Sequence, residues 1–531
     1  MPSQSPSVSD GTPVQSPNGR RRSTSAMLPP TTADEQTQCK AKATGAGASL
    51  AMMATLGFLW GGACFGFNGI KTVFLDEGLF ADACDHGDKC KAQINQVDAA
   101  WTFASAMLNV MALINGSLSD ALGLRRLCLL SSALLAISTV MFYLVVTKRR
   151  YEQYLSYVYF ALVESGMLLS FGGLALQGEK GSLTPPCSRP YDVRVVAAPT
   201  METAFALGTL IFPTLRLIHD GVKGANLVTL YCSYFAACSV LILYCACRTK
   251  ARPLRRPGSG ALRHVGWRRL LFAFCAALAV GANITQQGYY VATFAEQARW
   301  HGRSEVLGDV LDWGFPLMAL PSLYAAARFE EHAHAVGFER GASRGYVLLM
   351  LLQIAWGVLS TQKLWWLQIL AVAVFVPARL LGFVHLYTCV GAFFPAEHFG
   401  IMAGACLTLG GLCAIPASQA LRAWLVASMD PRGPNGALAA ALVVLDALAG
   451  AASRIVKIDR PDIETAPTTS AYNPMAADAD DEAAVELAEF FSEYGDGGDS
   501  SPSPLVSYGS PAAEARSPVR VDDAEEASSV N

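Results

Sequence analysis

The sequence contains little charge for its length. Asp, Glu, Lys and Arg make up 16% of its 531 residues, whereas hydrophobic residues make up 52%. An ordinary soluble domain carries about 25% charged residues, so this class of protein is excluded. The hydrophobic residues come in runs of about 20, the length that crosses a bilayer as a helix. The composition therefore predicts a multi-pass integral membrane protein, with the lipid bilayer as its first partner.

The sequence also lacks several kinds of functional motif. It has no phosphate-cradling loop and no spacing of His, Cys, Asp and Glu that is typical of a metal site. Its basic residues lie between the hydrophobic runs, so nucleic-acid binding is not indicated. We therefore expect no enzyme activity, no cofactor, no bound metal and no nucleic-acid partner.

Hydropathy predicts about twelve transmembrane helices. The first six lie near residues 50–74, 97–119, 127–147, 155–177, 196–217 and 226–247. The other six lie near residues 270–294, 306–327, 345–361, 364–390, 399–427 and 436–456. This all-α pattern predicts an N-terminal six-helix bundle over residues 46–247 and a C-terminal six-helix bundle over residues 270–457. A basic linker over residues 248–269 joins them.

Both ends of the chain are polar. Residues 1–45 are rich in Ser, Pro, Thr and Gln, and residues 458–531 are acidic with repeated Ser-Pro pairs, so both are predicted to be disordered. Basic loops favour the cytoplasmic side of a membrane, and the basic linker therefore places both termini in the cytoplasm. The tails are candidate contacts for a kinase or an adaptor. The pattern fits the plasma membrane and an internal membrane equally.

A short charged stretch separates the second and third predicted spans. It reads Gly-Ser-Leu-Ser-Asp-Ala-Leu-Gly-Leu-Arg-Arg and runs from Gly116 to Arg126. Gly116 permits a close approach of two helices, Gly123 supports a reversal of the chain, and Asp120 suits the positive N-terminus of a neighbouring helix. Arg125 and Arg126 favour the cytoplasmic side.

The pattern Gly-x-x-x-Asp-x-x-Gly-x-Arg-Arg in this stretch resembles the loop between the second and third helices of the major facilitator superfamily of transporters. Two further stretches narrow the resemblance: Phe67-Asn68-Gly69 with Leu75–Phe80 after the first span, and Phe393–Gly400 before the eleventh. Over about residues 50–456 the chain resembles the sodium-independent large-neutral-amino-acid facilitators and their fungal relatives. That resemblance implies facilitated diffusion of branched-chain or aromatic amino acids without ion coupling.

In this superfamily the first, fourth, seventh and tenth spans line the substrate cavity. In the seventh span, Asn283, Gln286, Gln287 and Tyr290 recur at three- and four-residue spacing, which places them on one helix face. They are predicted to line the cavity, and the alternative is a set of hydrogen bonds between helices. Asn68 in the first span is a further cavity candidate. The glycines around it fit close packing and a mobile gating helix equally.

Two charges lie within spans that are expected to line the cavity: Glu164 in the fourth and Arg379 in the tenth. A charge at mid-membrane costs about 2.5–3.5 kcal/mol on insertion scales, so each one needs a role. Arg379 is predicted to bind the carboxylate of an amino acid and Glu164 its ammonium group. The alternative is that they pair with each other, or with other residues, as a structural or gating bridge. Glu202 in the fifth span is predicted to make contacts between helices.

A polar loop precedes the eleventh span. It reads Pro-Ala-Glu-His-Phe-Gly from Pro395 to Gly400, and Glu397 or His398 is predicted to cap the start of the eleventh helix. Together with the stretch from Gly116, this loop is predicted to form cytoplasmic contacts that favour an outward-open state. Breaking these contacts would let the two bundles rock.

Cys84 and Cys90 flank a hydrophilic loop after the first span. We expect a disulfide if that loop faces an oxidising compartment. The alternative is a metal site with His86, for which the sequence offers no second ligand pair of suitable spacing.

Three functions remain open at this point. The first is a facilitative transporter of neutral amino acids. The second is a proton-coupled symporter of the same fold, with Glu164, Asp312 or His385 as the titrating group. The third is a membrane receptor or scaffold that does not transport.

Overall fold

The computed structural model describes residues 47–62, 66–84, 90–178, 193–222, 226–249, 265–302, 307, 310–335, 338–395 and 398–456. Secondary structure in these ranges is entirely helical, and none of them contains a strand. The predicted all-α class is therefore confirmed. The predicted disordered termini and the middle of the basic linker lie outside these ranges.

The α-helices of the described ranges are numbered in chain order. They are α1 (Gly47–Gly61), α2 (Phe67–Asp76), α3 (Lys91–Thr147), α4 (Leu155–Leu174), α5 (Val193–Gly208), α6 (Ile211–Gly221), α7 (Leu227–Arg248), α8 (Trp267–Gln286), α9 (Phe294–Trp300), α10 (Phe315–Ala335), α11 (Phe338–Ser360), α12 (Trp365–Phe393), α13 (Phe399–Ser428) and α14 (Arg432–Ile455). π-helical turns end α1 at Gly57–Gly61, extend α8 at Gln287–Val291 and precede α10 at Val310–Gly314.

These helices reproduce the twelve predicted spans. In the described ranges, nine helices are long and apolar enough to cross a membrane. One of the nine, α3, contains both the second and the third span. The first span is divided between α1 and α2, the fifth between α5 and α6, and the eighth consists of the turn Val310–Gly314 with α10. The chain is a multi-pass membrane protein.

The second and third spans meet at Gly123. Its φ of 71° and ψ of 169° interrupt the helical geometry of α3. A positive φ is accessible to glycine at little cost because it has no Cβ, whereas other residues would be strained there. The predicted reversal of the chain therefore lies at Gly123.

An aromatic cluster forms the core of the first six spans. Trp60 packs edge-on against Phe235, with ring centroids 5.1 Å apart, and Phe235 packs in the same way against Phe142 at 5.3 Å. The indole nitrogen of Trp60 donates a hydrogen bond of 2.7 Å to the hydroxyl of Ser165. The cluster joins the first, third, fourth and sixth spans around one buried centre.

Two close approaches of main chains hold other helices together. A Cβ added to Gly62, directly after α1, would lie 1.7 Å from the carbonyl oxygen of Phe205 in α5. A Cβ added to Gly281 in α8 would lie 2.8 Å from the carbonyl oxygen of Gly410 in α13. Both positions therefore need glycine. The described helices form one compact unit, and their division into two six-helix bundles stays a prediction.

Candidate functional site

A cavity of about 340 Å³ lies between the first six and the last six spans. On α3 its lining runs from Asp98 to Ala112, and on α13 it runs from Leu407 to Arg422. The lining of α3 stops about one helical turn before Gly116. The cavity is therefore blocked at the end of the molecule where the second and third spans meet, and its lining extends toward the opposite end.

The blocked end is built from main-chain contacts between α3 and α13. We call it the closed end and define it by Ala112, Gly116, Asp120, Gly400 and Gly404. A Cβ on Gly116 would lie 1.9 Å from the carbonyl oxygen of Gly400, and a Cβ on Gly404 would lie 2.3 Å from that of Ala112. No side chain fits between these backbones, so the two helices block the cavity by direct contact.

The carboxylate of Asp120 caps the start of α13. Its Oδ1 accepts a hydrogen bond of 2.9 Å from the backbone amide of Gly400, and its Oδ2 accepts one of 2.8 Å from the amide of Ile401. This is the helix N-terminus position that the sequence predicted for Asp120. The prediction that His398 caps α13 is wrong, because His398 occupies the N-cap position without a capping side-chain hydrogen bond. Glu397 lies outside the described residues.

Arg379 reaches the cavity from α12. Its side chain is largely buried, with 7% of its surface exposed, and its Nε donates a hydrogen bond of 2.9 Å to Oε1 of Gln287. The guanidinium also lies over the rings of Phe315 and Phe383, at 5.3 and 5.6 Å from the ring centroids. Hydrogen bonding through Nε leaves the terminal nitrogens of the guanidinium as donors for a second group. The predicted cavity cation is therefore in the cavity.

Glu202, on α5, is the acid that faces Arg379. It lines the same cavity, and the two charges interact electrostatically. Glu202 is predicted to make contacts between helices, and the structure adds that it lines the cavity. A charge in an apolar span needs a role. The fifth span is not among those that the family resemblance places around the cavity, so the sequence does not predict this position for Glu202.

Glu164 does not occupy the position that the sequence predicted for it. It is buried in α4, with 5% of its surface exposed, and it is not part of the cavity lining. It faces Asn115 on α3, and its Oε2 has no hydrogen-bond partner. Glu164 therefore lies in the packing between the second and fourth spans and does not face Arg379.

Three of the four residues in the predicted polar stripe of the seventh span, Asn283, Gln286 and Tyr290, do not line the cavity. Gln286 Nε2 donates a hydrogen bond of 2.8 Å to Oε1 of Gln353 on α11, and Gln353 Nε2 donates one of 3.2 Å to Oδ1 of Asn283. Tyr290 is buried against Trp356, with ring centroids 5.3 Å apart. These contacts match the alternative that the sequence left open, hydrogen bonding between helices.

Gln287, the fourth residue of the predicted stripe, does line the cavity, together with Ile284, Gly288 and Tyr289. A π-helical turn begins at Gln287, and a π-turn shifts the face that a helix presents by adding a residue to the turn. The predicted stripe is therefore divided, with Gln287 at the cavity and its other residues against neighbouring helices. Asn68 is placed in α2 beside the cavity residue Phe67.

An ion pair and a disulfide lie toward the end of the molecule opposite the closed end. Lys71 Nζ and Asp98 Oδ1 are 2.6 Å apart, and both residues line the cavity. Cys84 and Cys90 are joined by a disulfide with Cα atoms 5.8 Å apart, as the sequence analysis favoured. In the described residues, no group of three or more His, Cys, Asp or Glu could hold a metal ion.

One enzyme-like pattern in the sequence has a different context in the structure. The stretch 341–345 reads Gly-Ala-Ser-Arg-Gly, which matches the nucleophile pattern of serine hydrolases. In those enzymes the serine lies on a sharp turn between a strand and a helix. Here the stretch is internal to α11, and Ser343 accepts a hydrogen bond of 2.7 Å from Nε of Arg454. It therefore does not form a nucleophile elbow.

No protein-family model and no curated protein sequence matches the chain. Among solved structures, the proton:xylose symporter of the major facilitator superfamily, bound to 6-bromo-6-deoxy-D-glucose, has a TM-score of 0.56 at 13% identity and covers 77% of this chain and 95% of its own. A variant of the E. coli fucose:proton symporter has a TM-score of 0.51 at 13% identity, and the match covers 76% of this chain and 98% of the symporter chain. The chain has the major facilitator fold. At these identities the similarity concerns the fold alone.

In the major facilitator fold of this chain, the cavity receives side chains from both sets of six spans. Glu202 comes from the fifth span and Arg379 from the tenth. The remaining lining is largely apolar and includes the aromatic residues Phe67, Trp101, Phe171, Phe205, Phe315 and Phe383. The site thus combines Arg379 and Glu202, the further charges of Lys71, Asp98 and Arg422, and a largely apolar wall.

Proposed function

We propose that this protein moves neutral amino acids with branched-chain or aromatic side chains across a membrane, by alternating access and facilitated diffusion. The proposal is carried by one observation: Arg379 and Glu202 face a single, largely apolar cavity from opposite sets of spans. An amino acid carries a carboxylate that suits the guanidinium and an ammonium group that suits the carboxylate. Each of its two charges would lie next to a side chain of opposite charge, in addition to the interaction that Arg379 and Glu202 make with each other.

The size and the wall of the cavity support a solute of this class. Ligand sites for small molecules commonly have volumes of about 300–1,000 Å³, and this cavity has about 340 Å³. Phe171 and Phe383 line it together with other aromatic residues, and such a surface favours an apolar side chain.

The placement of the two charges suggests how substrate drives the change of state. Because Glu202 and Arg379 lie on opposite sets of spans, a bound zwitterion would attract both sets toward each other. A ligand shifts a conformational equilibrium only through its different affinity for the two states. With both termini in the cytoplasm, as the sequence predicts, the closed end is cytoplasmic and the described state is outward-open.

The test is uptake of labelled leucine and phenylalanine into proteoliposomes that carry the purified protein, with and without a pH gradient. We expect saturable uptake that does not need the gradient and that Arg379→Ala abolishes. Arg432→Ala is the matched control, since Arg432 is exposed and pairs with Asp430 in the turn before α14. Absence of flux for every amino acid, with binding retained, would favour the receptor or scaffold instead.

A proton-coupled symporter is the second candidate, and Glu164 favours it. This carboxyl group is buried beside the cavity helices, and one of its oxygens has no hydrogen-bond partner. Such a group is neutral when protonated and costly when ionised. If wild type accumulates substrate only under a proton gradient, and Glu164→Gln does not accumulate it, the symporter mechanism is supported. Contacts of the tails with a kinase or an adaptor stay a prediction on residues outside the described ranges.

A further inference from the structure

Three buried titratable side chains lie together in the last six spans, outside the cavity lining. They are Glu330 on α10, His385 on α12 and Asp446 on α14, with 0%, 1% and 0% of their surfaces exposed. They come from three different helices, and the proposed transport cycle uses none of them.

The hydrogen bonds of His385 determine how many protons it shares with Glu330. Its Nε2 lies 2.8 Å from the carbonyl oxygen of Ala342, which only accepts, so Nε2 must carry a hydrogen. Its Nδ1 lies 3.0 Å from Oε1 of Glu330, and this contact needs a hydrogen between the two atoms. Whether that hydrogen belongs to the imidazole or to the carboxyl group, the pair holds one shared proton and has no net charge.

Asp446 adds a second acid to the neutral pair. Both of its carboxylate oxygens are buried without a hydrogen-bond partner, and it lies close enough to His385 for the two to interact electrostatically. An ionised carboxylate without hydrogen bonds in an apolar interior costs several kcal/mol or more, so such groups take up a proton.

Among the residues whose side chains the structure describes, the titratable groups that face this cluster from the surrounding helices do not supply a balancing charge. Tyr346 packs its ring on His385 at 4.8 Å between centroids, and Cys389 Sγ lies 3.6 Å from Nε2 of the same histidine. Cys275 and Cys406 approach Tyr346 from α8 and α13. Phenol and thiol groups are neutral near pH 7. The cation on α14, Arg454, donates its Nε hydrogen to Ser343, two helical turns beyond Asp446.

We propose that Glu330, His385 and Asp446 form a proton-binding site, separate from the cavity, that holds two protons while the closed end is closed. One proton is shared by His385 and Glu330, and the second resides on Asp446. Loss of the second proton to water leaves one net negative charge in the buried cluster. Glu330, His385 and Asp446 lie in the last three turns of α10, α12 and α14, and the chain passes directly from the end of α12 to the start of α13. Opening of the closed end would therefore bring water toward these helix ends. Proton release would then accompany that movement.

Infrared difference spectroscopy of the full-length protein in lipid tests the site without any substrate. The spectra would be recorded at neutral and at alkaline pH. We expect wild type to show a protonated carboxyl absorption at neutral pH that Asp446→Asn lacks. Asp430→Asn, which changes an exposed carboxylate paired with Arg432, should leave the absorption intact. Because the assay needs no transport, its failure would leave the proposed amino-acid transport standing. An identical absorption in wild type and Asp446→Asn would overturn the site.

A second measurement covers the case in which Asp446→Asn folds poorly. A folded state that binds a proton which the unfolded chain releases loses stability as pH rises. We therefore expect the unfolding midpoint of wild type to fall from neutral to alkaline pH. Glu164→Gln and Glu202→Gln, which remove acids of the fourth and fifth spans, should keep both this fall and the carboxyl absorption. Absence of a protonated carboxyl absorption in those two variants at neutral pH would contradict the proposal.

Discussion

Asp120 binds the backbone amide of Gly400 across 280 residues of sequence, at 2.9 Å between Oδ1 and the amide nitrogen. The same carboxylate accepts the next amide, that of Ile401. The first free amides of a helix carry partial positive charge, so the carboxylate is bound by both hydrogen bonds and the helix dipole. The closed end therefore combines an electrostatic contact with the main-chain contact of Gly116 on Gly400.

Removing the carboxylate should open the closed end more often. Loss of a helix N-cap costs about 0.5–2 kcal/mol, so Asp120→Ala should shift the equilibrium roughly 2- to 30-fold toward the open arrangement. The readout is the rate at which a thiol reagent modifies a cysteine placed at the buried Ser119, with the exposed Cys247 and Cys413 replaced by Ser. An unchanged rate would show that this contact does not restrain the closed end.

Adding one methyl group at the same interface should have a larger effect. The Cβ of Gly116→Ala would lie 1.9 Å from the carbonyl oxygen of Gly400, so α3 and α13 must separate. Overpacking costs about 1–3 kcal/mol, which corresponds to a closed state that is roughly 5- to 150-fold less populated. Substrate uptake should fall accordingly. Gly47→Ala is the matched control, because no atom lies within 4 Å of its added Cβ. Equal uptake by the two variants would contradict the main-chain contact.

The amide pairs between α8 and α11 should support stability and not substrate affinity. Gln353→Leu leaves Gln286 Nε2 and Asn283 Oδ1 buried without that partner, at a cost of about 1–3 kcal/mol for each group. The unfolding midpoint should fall while the KM for leucine stays constant. Gln362→Leu, at an exposed position just after α11, should change neither. A raised KM at unchanged stability would instead place these amides in contact with substrate.

Removing the charge of Glu202 and removing that of Glu164 should have different effects on substrate binding. Hydrogen bonds to charged groups contribute about 1.5–3 kcal/mol, so Glu202→Gln should weaken binding of amino acids by roughly 10- to 150-fold. Glu164→Gln should leave the KM nearly unchanged, because Glu164 lies outside the cavity lining. Measured KM values for both variants in the same vesicles decide the point. A larger rise of the KM in Glu164→Gln than in Glu202→Gln would instead indicate that Glu164 binds the ammonium group of the substrate.

Much of the fold could be predicted from the sequence because a bilayer demands long apolar helices. The twelve spans, the reversal at Gly123 and the contact of Asp120 with a helix N-terminus all follow from local features: hydropathy, a glycine and a carboxylate in a short polar stretch. Each of these features acts over a few residues. Local reasoning is therefore sufficient for them.

The cavity could be predicted only in part, because its lining depends on helix rotation. Arg379 is predicted to lie in the cavity because it is a charge in the tenth span, which the family resemblance places around the cavity, and it does line the cavity. Asn283 and Gln286 share a face as expected, but that face meets α11, and the π-turn at Gln287 determines what the next residues present. The position of Glu202 in the cavity was not predicted for a similar reason, since no periodic pattern in the sequence indicates which face of α5 lines the cavity.

The two close approaches described for the fold occupy corresponding places in the chain. Gly62 with Phe205 joins the first and fifth spans of the first six, and Gly281 with Gly410 joins the first and fifth of the last six. Transporters are commonly built from internal repeats, and this recurrence fits an ancient duplication of a six-helix ancestor that left little trace in the residues. These two contacts are made by main-chain atoms, so they do not depend on the side chains around the cavity. The residues of the cavity wall, and with them the substrate preference, can therefore change while both contacts are kept.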